Sequence, residues 1–336
     1  MTNTRRVIVD IEYMGVSITK ELAPNLLSFS YNDNEGKSDD IQIDLEDRDR
    51  KWQKPWLPSK GDRIQAAIQL VNWRKQNEVS QLNCGTFYID DVSFSGPPDK
   101  ISIKALSVPF DKGGKNTVHT RAWENATLPS IMGDVAVSAG LKLIYDAPVY
   151  TYDRVDQSKE TDLAFAKRIA KKEGLSIKVT KEQLVIYDEA SYESKDTARD
   201  IKRGSSDVIS YSFNTSAAEE QYKTVEVSYF DDKKKKLVKY VYTVPGVEKG
   251  PALKINKRAT NLDEAMRWAK AEARNKNKSA KTAQITLMGD ENLIQGITVN
   301  LINFGAFDGK YYIESSSHNV TGGYTINLKL REVLNY

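Results

Sequence analysis

Two histidines, one cysteine and an acidic cluster are the groups of this chain with the reactivity to break or form bonds. A metal site needs three or four ligands at set spacing, and neither His119 nor His318 has a cysteine or a second histidine near it. Cys84 with His119 would form a nucleophilic dyad only if neighbouring groups lowered the thiol pKa. Nothing near Cys84 does so, and it reads as a structural thiol. Asp44, Glu46, Asp47 and Asp49 form a carboxylate cluster, and two carboxylates suffice for glycoside hydrolysis without a cofactor. Catalytic tuning needs burial, however. Here Ile41, Ile43 and Leu45 alternate with Gln42, Asp44 and Glu46, the pattern of a strand with one solvated face, and Arg48, Arg50 and Lys51 interleave with the acids. Nucleophile-elbow, phosphate-loop and dinucleotide motifs are absent. The expectation is a protein that is not an enzyme, with no catalytic, cofactor-binding or metal-binding residue and no cofactor.

Binding chemistry is the next possibility. Arg267, Lys270, Arg274, Lys276, Lys278 and Lys281 form a basic stretch whose only acid is Glu272. Such a stretch can touch phosphates, but aromatics do not interleave with it as a base-stacking platform requires. It reads as the outer face of an alanine-rich helix, a surface or subunit interface with no stable nucleic-acid binding. The Lys233–Lys236 run reads as a solvated hairpin tip that blunts a strand edge. Trp52, Trp56 and Trp123 lie near loops, where they either cap β cores or anchor a partner.

These residues hang on a chain organised around Gln157–Asp188, which reads as a helix followed by a β-hairpin. Leu163, Ala166 and Ala170 recur at helical spacing beside Phe165 and Ile169; Ser158 or Thr161 caps the start and Gly174 ends the helix. An earlier unit has the same order: Thr127 caps a helix carrying Leu128, Ile131, Met132, Val135 and Ala139, Gly140 stops it, and Leu141–Tyr145 is a strand. Residues 6–110 alternate as about six strands, with Asn32–Gly36 and Gly96-Pro97-Pro98 as turns, and suggest a small barrel or sandwich. Residues 111–126 read as a loop and 189–207 as a linker. Strands then follow at Val208–Phe213, Thr224–Phe230 and Leu237–Val244. A helix capped by Asn261 and Glu264 shows the face Leu262, Ala265, Met266, Ala269, Ala273. Four closing strands include a Gly322-Gly323 hairpin.

The chain has 336 residues, 40% hydrophobic and 28% charged, with net charge +3. That length suggests roughly two to four domains, and the composition is that of a soluble globular protein without wholesale disorder. One cysteine excludes an internal disulfide and fits synthesis in a reducing cytoplasm. No apolar run approaches the ~20 residues that cross a bilayer, and the N-terminus does not read as a signal peptide.

Three stretches resemble the late control D, or baseplate hub, proteins of contractile phage tails and tail-like bacteriocins, which are related to the hub part of type VI secretion spike proteins. They are TLPSIMGDVAVSAGLKLIYD, then VDQSKETDLAFAKRIAKKEGLSIKV, and the C-terminal run from LDEAMRWAKAEARNKN through GKYYIESSSHNVTGGYTINLKLRE. The resemblance covers most of the chain and is strongest over 125–188 and 261–331. With the pattern above, it implies an α+β, β-dominated fold: two similar small β-barrel-like domains, 1–110 and 208–336, joined by an α/β subdomain and linker, 111–207. It further implies a homotrimer whose six β domains match a sixfold tail tube above and a threefold central spike below, nucleating the tube and meeting other baseplate proteins. Membrane insertion is not implied. Assembly would take place in the bacterial cytoplasm and end in the particle. Because the chain ends at Tyr336 after the hub-like part, the spike is expected to be a separate polypeptide. The competing classes are a tail-associated peptidoglycan hydrolase acting through Asp44 or Glu46, and a carbohydrate- or receptor-binding module in residues 1–110.

Overall fold

Period-two alternation organises most of the chain, and the computed structural model, which describes residues 4–54, 56–107, 117–215, 221–231 and 235–336, is 52% strand and 17% helix. The fold is β-dominated. Its first part runs β1 (Arg6–Tyr13), β2 (Val16–Ser17), the single turn α1 (Thr19–Leu22), β3 (Leu26–Asn34), β4 (Asp40–Glu46), β5 (Arg63–Val71), β6 (Val79–Ser95) and β7 (Lys100–Leu106). Ile41, Ile43 and Leu45 of β4 meet Ile11, Ile68, Phe87 and Ile101 in one core.

The middle part runs β8 (Val118–Thr127), α2 (Leu128–Ser138), β9 (Lys142–Asp146), β10 (Thr151–Thr161), α3 (Asp162–Lys172), β11 (Ser176–Thr180), β12 (Gln183–Tyr187) and α4 (Glu189–Ser194). Thr127 and Thr161 cap α2 and α3, each accepting from a backbone N–H in the first turn. The two helices share a core with the sheet β11-β12-β9, built on Ile131, Val135, Phe165, Ile169 and Leu184. Two expectations fail here. Residues 118–126 are not a loop but most of β8, which pairs with β10 as a two-stranded ribbon. Their inner face is largely polar, with His119, Arg121 and Gln157 on it, so neither carries the one-sided apolar alternation that announces a strand. The rest of that expected loop, 111–116, lies outside the described residues. The expected linker 189–207 holds α4 and a short strand, β13 (Asp200–Lys202).

The last part continues with β14 (Val208–Thr215), β15 (Thr224–Asp231), β16 (Lys236–Thr243), β17 (Ala252–Ala259), α5 (Leu262–Asn277), β18 (Lys281–Met288), β19 (Thr298–Ile302), β20 (Gly309–Val320) and β21 (Tyr324–Glu332). Asn261 accepts from the Glu264 N–H at 2.9 Å, while the Glu264 carboxylate accepts from the Thr260 N–H at 2.7 Å. The buried face of α5 differs from the expected one: Leu262 and Met266 are exposed, and Trp268 packs inward on the sheet β16-β15-β17 with Ala265, Ala269 and Ala273. Of the lysine tip, Lys233 and Lys234 lie outside the described residues.

The antiparallel strand order β3-β4-β7-β6-β5 recurs as β14-β18-β21-β20-β19. The irregularities recur as well. One β-bulge falls between Leu26 and Ser28 and again between Val208 and Ser210. Another falls between Ile89 and Asp91, opposite Lys104, and again between Ile313 and Ser315, opposite Lys329. Position for position, LLSFSYN (26–32) lies on VISYSFN (208–214). The second copy differs chiefly by β15, β16, β17 and α5, inserted between its first two strands. The copies do not close into barrels among the described residues. They join edge to edge through β3 and β20 into one open 13-stranded sheet, because each leaves a strand edge free for a neighbour.

Candidate assembly site

The reactive residues are dispersed. Cys84 is fully buried in the first core, where burial pushes its thiol pKa far up. His119 stands in the β8–β10 ribbon, 3.7 Å from Asp162, so no dyad forms with Cys84. His318 is buried between the Tyr324 hydroxyl at 2.7 Å and the Ser316 hydroxyl at 3.2 Å. No group of three or more His, Cys, Asp or Glu residues suited to a metal exists among the described residues. In the acidic cluster, burial pushes the Asp44 carboxyl up, but hydrogen bonds from Ser28, Ser102 and Gln42 outweigh it and leave the pKa below its ordinary value. Asp47 was expected to be wet and is instead buried, accepting from the Trp52 N–H at 3.0 Å to close the turn after β4. Trp52 caps the first core and Trp123 stacks on Phe165, 5.1 Å between ring centres, whereas Trp56 is exposed.

The geometry that stands out is the join between the copies. Phe29–Asn34 of β3 lie across from Ser315–Val320 of β20. Ser317 donates to the Asn32 side chain at 2.6 Å, and the rings of Tyr31 and His318 stack. A second contact grips the same seam. The Trp73 indole N–H donates to the Gly289 carbonyl at 2.8 Å, and Arg74 pairs with Asp290 and Glu291. By the internal repeat, β14 occupies the place of β3, and the end of β6 occupies the place of the end of β20. Both corresponding edges are unpaired among the described residues and carry exposed apolar side chains: Ile209 and Tyr211 on β14, Phe94 on β6.

A buried ionic cluster locks the middle part against both copies. Arg331, fully buried, donates to Glu189 at 2.7 Å and Glu193 at 2.6 Å, while Arg274 meets Glu193 at 2.8 Å. Lys278 reaches Glu189 at 3.1 Å and Glu35, from the turn after β3, at 3.4 Å. Burial, and then the neighbouring Glu189 carboxylate, pushes Glu35 up to about 8; for Glu189, burial is outweighed by Arg331 and Lys278, which hold it well below the usual carboxylate range. Arg274 and Lys278 were expected on the outer face of the helix, at a surface or subunit interface. They turn inward because α4 places two glutamates behind α5, and nothing in the polar stretch 189–207 announced that helix.

The family model of the phage tail baseplate hub (GPD) matches residues 108–324. This chain belongs to that family. The probable baseplate hub protein of Escherichia phage 186 is 29% identical over 171 residues, 48% of this chain and 40% of that relative. The match thus spans less than half the length of this curated relative. Among solved structures, the tail protein from Neisseria meningitidis MC58 superposes with a TM-score of 0.72 at 13% identity, covering 97% of this chain and 96% of the other. An E. coli component of the type VI secretion system, itself described as similar to T4 bacteriophage tail proteins, superposes with a TM-score of 0.56 at 10% identity over 93% of this chain and 74% of that one. At such identities the likeness is one of fold. The signal that segment-by-segment periodicity missed was internal: the LLSFSYN/VISYSFN repeat marks β3 and β14 as equivalent strands of this baseplate hub family member.

Proposed function

We propose that this chain is a structural, non-enzymatic baseplate hub subunit that assembles as a ring of three copies. The observation that carries the reading is the repeat of one strand order with one internal join and two matching free edges. If β14 of one subunit pairs with β6 of the next as β3 pairs with β20, the join inside each chain is repeated between chains. Three chains then form a ring of six similar sheets. In this reading residues 1–110 and 208–336 are the ring domains and 111–207 packs outside or below them. Features present once per chain, such as the β8–β10 ribbon and the β15–α5 insertion, repeat three times, while the shared sheet repeats six times. A ring of that kind matches a sixfold tail tube on one side and a threefold central spike on the other. It nucleates the tube, meets other baseplate proteins, forms in the bacterial cytoplasm and ends in the tail particle.

Transferring the internal register puts Ser95 opposite Ser212, Phe94 opposite Phe213 and Ser93 opposite Asn214 of the next subunit. Residues directly opposite on antiparallel strands have Cα atoms about 4.5–5.5 Å apart, within the span of about 4.4–6.8 Å that a disulfide bridges. The Ser93→Cys/Asn214→Cys variant, oxidised with and without the spike protein, is expected to give chain-linked trimers with a mass near three times 37.9 kDa. A protein that stays monomeric by sedimentation under both conditions, and forms no cross-link, overturns the ring.

A further inference from the structure

Between α3, α5 and the outer edge of β17 lies an open groove of about 510 Å³. Its floor is apolar, formed by Leu253, Ile255 and the ring of Trp268. Its rim carries Arg168, Lys171, Lys172, Lys254 and Lys257, against Glu272 as the one acid of the lining. Arg168 pairs with Glu160, and Lys172 pairs with Glu264 at 3.0 Å while lying over the Trp268 ring at 4.3 Å. Lys171, Lys254 and Lys257 are exposed and make no ion pair among the described residues. The Trp268 indole N–H is buried without an acceptor among the described residues, an uncommon state for a buried donor. One side of β17 pairs with β15, and its other side is a free strand edge among the described residues.

We infer that this groove binds an acidic, extended peptide segment of a partner protein, lying along the free edge of β17. Its carboxylates meet the unpaired rim cations Lys171, Lys254 and Lys257, and an apolar side chain rests on Leu253, Ile255 and Trp268. Charge complementarity decides the occupant: the surplus of cations opposes a basic or purely apolar segment, while the open strand edge offers backbone hydrogen bonds to any extended chain. The bland role of these lysines, blunting an exposed edge, predicts no ligand at all. The inference does not rest on the ring, since the groove is complete within one chain.

The probe is a fluorescein-labelled peptide alternating Glu with Leu, compared with its Lys-for-Glu counterpart, titrated into the full chain and followed by anisotropy. At about 50 mM salt the acidic peptide is expected to bind and the basic one not. Lys254→Glu/Lys257→Glu should weaken binding at least tenfold. A measurement without any variant accompanies it: in the unaltered protein the acidic peptide should slow acetylation of Lys254 and Lys257 several-fold and leave Lys60 unchanged. Binding indifferent to peptide charge, binding unaffected by the charge reversal, unprotected lysines, or no binding up to millimolar peptide would each overturn the inference.

Discussion

His318 of β20 lies directly opposite Tyr31 of β3, their rings stacked with centres 5.8 Å apart, at the seam where the two copies of the strand order meet. In the first copy the place of His318 is held by Phe94. His318→Phe is therefore expected to keep the stack and lose only the hydrogen bonds to Tyr324 and Ser316, costing about 1–3 kcal/mol. His318→Ala removes the ring as well and should cost about 3–5 kcal/mol. Urea unfolding of both variants checks this, and equal costs would show that the stacked ring contributes nothing to the seam.

Arg331 is the hub of the buried ionic cluster, with its guanidinium 4.4 Å over the Tyr312 ring. Arg331→Met leaves Glu189 and Glu193 with less positive charge in a site water does not reach, and is expected to destabilise by about 3–5 kcal/mol. Adding Glu189→Gln should recover part of that loss, because the second change removes the stranded charge. A double-mutant cycle read by urea midpoints measures the coupling. Simple additivity of the two losses would contradict the cluster as described.

Gly289 needs no special backbone conformation, yet a Cβ there would meet the Tyr324 ring at 1.9 Å. Tyr324 in turn packs on Trp73, 5.7 Å between ring centres, and bonds His318. Gly289→Ala should push the ring out of the seam and cost about 1–3 kcal/mol. Thermal unfolding combined with the near-ultraviolet signal of Trp73 reads it, and an unchanged midpoint would mean the ring moves without loss.

How much of this was legible differs by segment, for physical reasons. Helices α2 and α3 with their threonine caps were readable because cap, apolar stripe and terminal glycine agree locally. The β8–β10 ribbon was hidden because its inner face is polar too, with His119, Arg121 and Gln157 standing where apolar residues would mark alternation. The inward turn of Arg274 and Lys278 was hidden because their partners Glu193 and Glu189 sit 81 and 89 residues earlier, on a six-residue helix. The seam was half legible. Strand β3 at the seam and strand β14 at the free edge share LLSFSYN and VISYSFN, but the inserted β15–α5 block separates β14 from β18 and disguises the repeat. Nothing in the spacing of residues marked the site as an edge, since an edge is defined by which strands are missing beside it.

The pH response of the fold is set by buried groups that act in opposite senses. Glu35 is raised to about 8 by burial and then by Glu189, while Lys278 and Arg331 oppose the rise without cancelling it. The folded protein therefore holds a proton that the unfolded chain, near its ordinary 4.5, has lost, so stability falls as pH rises from about 4.5 to about 8. Asp39, raised by burial to about 7 against the pull of Lys178, acts in the same sense up to that pH. His318, lowered by burial to about 3, acts the other way: below its ordinary 6.5 the unfolded chain takes a proton that the folded protein refuses, and stability falls with acid. The window from pH 7 to 8 lies above the range of His318 and leaves Glu35 as the main contributor. The melting temperature should drop across this window in the native protein. In Glu35→Gln, where the amide imitates the protonated carboxyl, the slope should be shallower. The variant should match the native protein near pH 5 and exceed it near pH 8. Melting curves by circular dichroism at the three pH values decide the matter; parallel slopes in the two proteins would place the titrating group elsewhere.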